Sequence, residues 1–551
     1  MAVITQTCAI TGVPFPVDDQ DQAYYGKIGV PLPRLSPDER QLRRMSFRNE
    51  RNLYHRKCDL CGKQIISIYH TESSYTVYCN QCWWSDKWDP LSYGVDIDFS
   101  RPFFEQMHEL QKRIPRLALH QKNNVNSDYT NHTENNKNCY LCVDIAKCED
   151  VFHSKWLINC KDCSDCYNIE SSELCYGVQY EVKGYRTFFS FFSDFSTESA
   201  FLYNCQSCKN CFMCSNLNRK EYCIYNKQVT KEEYQQFMAT VDLGSHQQLE
   251  KYKQEYAEMV RATPKRAGLI IMSENSEGDC LYKCKNVVDS FDVIESQDSR
   301  YCYEAGHMKD CYDVYESAFD CELQYECHGC NRGKYLKFGH VSYDVHSSEY
   351  VDSCHNSGWL LGCVSLRRSE YCILNKQYTK DEFFELREKL INHMRNSGEW
   401  GEFFPAFMSP FSYNETIAQE YYPLTSDQAV VRGYRWKEED AYSEHQGGVI
   451  ELPDALRDAD DRVTSGILKC EVSGKHYKIL PQELALHKQL GIALPRRAPN
   501  QRYLDRLMMR NLRRLWNWKC TKCARPIRAP YDPTSTETIY CQTCFQELFY
   551  S

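Results

Sequence analysis

Across residues 135–377, apolar and polar positions alternate in short units rich in Cys, Tyr, Phe, Val, Asp and Asn, with few runs that favour a helix. Such repetition predicts stacked turns, a β-solenoid in which each coil lays a residue above its counterpart in the coil below. Cysteines would then stack inward as a ladder. Tyrosines beside them, as in Tyr301-Cys302-Tyr303, would alternate outward with strand period two. A nine-residue step recurs, from Cys166 to Cys175 and from Cys302 to Cys311. The segment is itself doubled: YCIYNKQ at 222–228 returns as YCILNKQ at 371–377, an offset of 149 that pairs Cys205, Cys214 and Cys223 with Cys354, Cys363 and Cys372. The blocks predicted are 135–228 and 278–377.

Each block runs into a capping box, Thr230 with Glu233 and Thr379 with Glu382, so helices should follow and cover the open solenoid ends (229–277 and 378–397). A short helix is expected from Pro102 to Ile114, within a linker over 101–134 whose Asn-rich stretch, Asn123 to Asn138, suits a flexible hinge. Residues 398–465 lack sustained periodicity and predict an extended linker. Modules are expected at the two ends, over 1–100 and 466–551.

Those ends are copies of one another. Residues 8–82 align with 470–544 without a gap, and 26 of 75 positions are identical. Cys58, Cys61, Cys79 and Cys82 match Cys520, Cys523, Cys541 and Cys544, each set being two CxxC knuckles separated by 17 residues. This is the spacing of a four-thiolate zinc ribbon, so two structural zinc ions are expected, with no coordination position left open for hydrolysis. Upstream, Cys8 and Cys470 begin knuckles whose second cysteine is replaced by Thr11 and Ser473, and they are not expected to be ligands.

The strings RNERNLYHRKCDLCGKQIISIY, YCNQCWWSDKWDPLSYG and YCIYNKQVTKEEY resemble a cysteine-rich zinc-ribbon and β-solenoid family of candidate-phylum bacteria and large DNA viruses. The resemblance implies a mainly β fold with helices, in which a central duplicated parallel β-solenoid is flanked by two homologous zinc-ribbon modules. It brings no activity with it, and these residues do not support the CoA-transferase-type label that members sometimes carry. In such relatives the upstream knuckles are complete; this sequence departs at Thr11, Ser36, Glu39, Ser473, Ala498 and Gln501.

With 32 cysteines and no charged, apolar leader at its start, the chain is expected to be cytoplasmic, with free thiols, or to be a virion component. Within the solenoid, Cys211 aligns with Leu360, which marks the interior cysteines as core filling rather than ligands. Net charge is -9, yet residues 40–57 hold seven basic residues against one acid, and 496–519 hold eight against one. Arg40, Arg44, Arg48 and Arg51, and their copies Arg502, Arg506, Arg510 and Arg513, are spaced as one face of a helix suited to forked contacts with phosphate. Trp83, Trp84, Trp88, Trp516 and Trp518 stand nearby as stacking platforms or module core. The leading expectation is a non-enzymatic scaffold that binds nucleic acid, RNA favoured, through both ends. The alternative is a structural or assembly protein whose ribbons hold protein partners. An enzyme built on solenoid carboxylates such as Asp292, Asp298, Asp310 and Asp313 is a third reading, without a catalytic motif to support it.

Overall fold

The computed structural model describes residues 3–316, 320–438 and 449–550. The chain forms two compact units, one of residues 1–119, 268–439 and 513–515, the other of 120–267, 440–512 and 516–551. The fold is mainly β, with parallel solenoid blocks in the middle and zinc-ribbon-like cysteine modules at both ends.

The solenoid repeat is twelve residues. Val143 pairs with Lys155, Lys155 with Tyr167 and Tyr167 with Gln179, all in parallel register. Every third residue is left-handed, as at Asn159, Asp162, Asp165 and Asn168, so each coil has four sides of three residues. Asn and Asp tolerate that conformation better than other side chains, which explains their abundance. The residue after each left-handed corner points inward. Cys160, Cys163 and Cys166 occupy such positions and are at most 2% exposed.

The nine-residue step is therefore not the coil repeat. It is the reach of the thiol: Cys166 donates to the Cys175 carbonyl at 3.7 Å, Cys302 to Cys311 at 3.4 Å and Cys363 to Cys372 at 3.3 Å. A small side chain with a weak donor suits an interior lined by carbonyls. Serines serve similarly, as where Ser154 accepts the Cys166 N–H and Ser290 the Cys302 N–H. The tyrosines flanking Cys302 are not solvent-facing, since helices cover that side and leave Tyr301 and Tyr303 buried.

Coils also begin earlier than the composition suggested. Gln121–Lys122 already pairs with Thr133–Glu134, and the asparagines read as a hinge sit at corners, with Asn126 donating to Asn138 and Asn138 to Asp150 across successive coils. Both capping boxes form, opening helices Lys231–Met238 and Lys380–Ser397. Helices Phe103–Arg113 and His246–Ala262 lie where expected. Part of 398–465 falls outside the described residues. Before it, Tyr413, Ile417 and Ala429 are buried against Met45 and Tyr315, so this stretch is packed structure rather than a loose linker.

In the first unit, helices Asp19–Ile28 and Pro37–Met45 pack on the second solenoid block, 268–377. In the second unit, the carboxy-terminal module packs on the first block, 120–228. Each module's last ribbon strand joins the short strand that precedes a block: Val77–Tyr78 pairs with Arg116–Leu117, and Ile539–Tyr540 with Lys265–Arg266. The pairings are equivalent under the two offsets, 462 and 149.

Candidate metal centres and the arginine faces

Each CxxC knuckle is a tight turn closed by its own backbone. Cys58 N–H donates to Lys63 and Gly62 N–H to Cys58; Cys520 and Ala524 repeat these bonds with Arg525 and Cys520. Antiparallel hairpins, Tyr54–Lys57 with Gln64–Ser67 and Trp516–Lys519 with Pro526–Ala529, carry the first knuckles toward the second. The four ligand atoms of Cys58, Cys61, Cys79 and Cys82 then lie within 4.8 Å of one another, as do those of Cys520, Cys523, Cys541 and Cys544. Both sets can hold a metal ion.

Backbone donors favour the thiolate form a metal needs. Burial opposes ionisation of Cys58, but N–H donors from Cys79, at 3.3 Å, Cys61 and Leu60 bring it down to about 7. The same balance, with Cys541 N–H at 3.3 Å, brings Cys520 down to about 6. The upstream knuckles keep this backbone without a second cysteine: Gly12 N–H donates to Cys8 and Gly474 N–H to Cys470. Local packing thus outlasts the ligand set.

The arginines are where the structure departs from expectation. Of the eight, helix Pro37–Met45 includes Arg40 and Arg44, and Pro499–Met508 includes Arg502 and Arg506; the other four lie beyond the helix ends, so neither copy forms one helical stripe. Most of the guanidinium groups are turned away from solvent, Arg51 keeping 23% of its side chain exposed. Arg40 Nη2 and Arg44 Nη2 clasp the Asp313 carboxylate at 3.0 and 3.2 Å, and Arg44 also pairs with Glu326; all four side chains are at most 4% exposed. Arg48 is buried between Glu50 and Glu316, and Arg51 meets Glu420 at 2.5 Å.

The other module repeats the arrangement. Arg502 Nη1 and Arg506 Nη1 clasp Asp165 at 2.6 and 2.5 Å, and Arg502 also reaches Glu483 at 3.0 Å. Arg510 lies over the Tyr167 ring with 3.9 Å from its central carbon to the centroid. Arg513 pairs with Asp292 and Glu304. All eight residues of the expected phosphate-binding face thus have partners among acids and rings of the protein itself. Asp313 and Asp292, considered above as catalytic carboxylates, are the partners of these arginines.

Opposite charge controls the acids of the second clasp. Burial would raise Asp165, yet Arg502 and Arg506 hold it below the usual carboxylate range, and His153 and Arg502 do the same for buried Glu483. Carboxylates with depressed folded pKa stabilise the fold above their unfolded pKa, about 4, and lose that contribution as pH falls through the folded value. The second unit should therefore lose stability on acidification below about pH 4, measurable as a falling urea midpoint between pH 5 and pH 2. Replacing Asp165 should flatten that limb.

Two of the five tryptophans are core. Trp83 and Trp88 are buried, with Trp83 Nε1 donating to Pro115 at 3.2 Å and Trp88 Nε1 to Trp83 at 2.9 Å. Trp84 is 42% exposed, and Trp516 and Trp518 are half-buried. Sequence reasoning missed Asp165, Glu326 and Glu483. Their only signal was that Asp165 and Asp313 each fall two residues after a repeat cysteine, Cys163 and Cys311.

No family model matches this chain, and neither does any curated protein. Among solved structures, one described as an acetyltransferase from Desulfovibrio desulfuricans G20 aligns with 47% of this chain and 68% of its own, at 10% identity and a TM-score of 0.10. A likeness this weak bears on neither fold nor activity. Among the described residues, no helix is long and apolar enough to cross a membrane.

Proposed function

We propose that the protein is a non-enzymatic, zinc-stabilised scaffold whose terminal modules clamp the solenoid blocks and leave the outer faces to protein partners. The observation that carries this reading is the repeated clasp of two arginines on one solenoid aspartate, Arg40 and Arg44 on Asp313 and Arg502 and Arg506 on Asp165. It assigns the most basic segments of the chain to internal docking. The four-thiolate sets suit zinc in a closed structural site, which supplies folding free energy and offers no open position for substrate.

The solenoid surface supports the same reading. Charges one coil apart neutralise each other, as in Lys137 with Glu149 at 2.6 Å, Lys283 with Glu295 at 2.9 Å and Arg186 with Glu198 at 3.1 Å. Such ladders give a stiff face with little net field, a poor match to a phosphate backbone. The nucleic-acid reading accordingly gives way to the assembly reading. Titrating labelled single-stranded and duplex RNA into the metal-loaded protein at 50 mM salt should show no saturable binding, while crosslinking in native extract should recover polypeptide. Saturable RNA binding that weakens steeply with salt would sink the proposal.

A further inference from the structure

From Cys139 to Val178 the inward positions of the first block are filled by Cys, Ile, Leu and Val apart from Ser154 and Ser172, and Leu and Cys return from Leu202. Between them the interior turns polar, beginning with Glu181, a carboxyl in the middle of the coil stack and only 1% exposed. Its Oε1 accepts from Thr187 Oγ1 at 2.6 Å and lies 3.8 Å from Cys175 Sγ. Its Oε2 is buried and meets no partner among the described residues. Gly184, the next inward position, makes the space: a Cβ there would stand 1.5 Å from Glu181 Oε1. The fold thus shapes a place for this side chain and, among the described residues, pairs it with no cation.

The ionisable groups that act on Glu181 are Cys175, one coil below Thr187, and Asp194; ionisation of either would add negative charge. Arg266 acts on Asp194. An ionised carboxylate with one hydroxyl donor and no counter-charge is strongly disfavoured in such a setting, and the group gains a proton instead.

We propose that Glu181 is a neutral carboxylic acid inside the first solenoid block, and that its ionisation is a pH-sensitive switch loosening the coils between the two cysteine cores. Burial pushes its pKa well above the usual carboxylate range, in agreement with the geometry. The sign follows from linkage. An acid whose folded pKa is raised makes the fold less stable as pH climbs above the unfolded value, about 4.3, toward the folded one. In that window the opening equilibrium shifts about tenfold per pH unit. This is opposite in direction to the acid-limb loss set by Asp165 and Glu483, so the two effects separate.

The test compares full-length, metal-loaded wild type with Glu181→Gln by hydrogen exchange of peptides covering residues 175–202, at matched pH from 5 to 9. The Gln variant should be protected about as well as wild type at pH 5. Its relative protection should then rise with pH, approaching tenfold per unit where coil opening limits exchange. A protection ratio independent of pH overturns the proposal, as does a Gln variant less protected than wild type at pH 9. A variant that does not fold at neutral pH overturns it too, because the amide reproduces the size and neutrality of the acid.

Discussion

Stripping the metal with a strong chelator should release two equivalents per chain and unfold both ribbon hairpins while the solenoid strands persist. The hairpins are short, and the Cys520 cluster packs with little beyond Ile527 and Tyr540 while the Cys58 cluster adjoins the larger core of its unit, whereas structural zinc in comparable folds contributes on the order of 10 kcal/mol. Solenoid coils are held by backbone bonds to coils above and below, which need no ion. Exchange protection should therefore vanish in the hairpins, at residues 54–67 and 516–529, and remain at 142–224. Ribbons that keep their protection after metal loss would refute the metal's structural role. Four equivalents released, instead of two, would show that the Cys8 and Cys470 half-sites also bind.

The second large effect is expected at the clasped aspartates. Asp313→Ala leaves Arg40 and Arg44 buried with Glu326 alone to balance two charges, and Asp165→Ala does the same to Arg502 and Arg506 with Glu483. Removing one partner from a buried ion cluster typically costs about 3–5 kcal/mol. Each change should destabilise its own unit by that amount in urea unfolding, and the two should add because they share no partner. Lys137→Ala, which breaks an exposed pair at a similarly short 2.6 Å, should cost less than about 1 kcal/mol. Comparable small losses at all three positions would remove the clamp from the functional reading.

The metal sites were legible because a knuckle is local. Two cysteines three apart, a tight turn after them and a hairpin between pairs are written within 25 residues of chain, and the structure brings all eight sulfurs into two sets. Capping boxes at Thr230 and Thr379 were legible for the same reason. The coil repeat was half legible. Every interior cysteine from Cys139 to Cys223 differs from the others by a multiple of three, a signal of three-residue sides that the more conspicuous nine-residue step obscured. The Asn-rich start of the first block read as a hinge because Asn marks turns of many kinds, and only stacking turns those corners into a ladder.

The arginines show where residue order stops being sufficient. A charge run carries no mark of its partner, because Coulomb attraction acts between groups that meet in space at any sequence separation. Asp313 lies 269 residues from Arg44, and Asp165 lies 341 from Arg506. Spacing, knuckles and caps determined that this chain would build two cysteine modules and a doubled solenoid, since each depends on neighbours within a few turns. Which module docks on which block, and whether guanidinium groups face water or a buried carboxylate, was decided only when distant surfaces closed on each other, where desolvation leaves a charge stable solely beside its opposite.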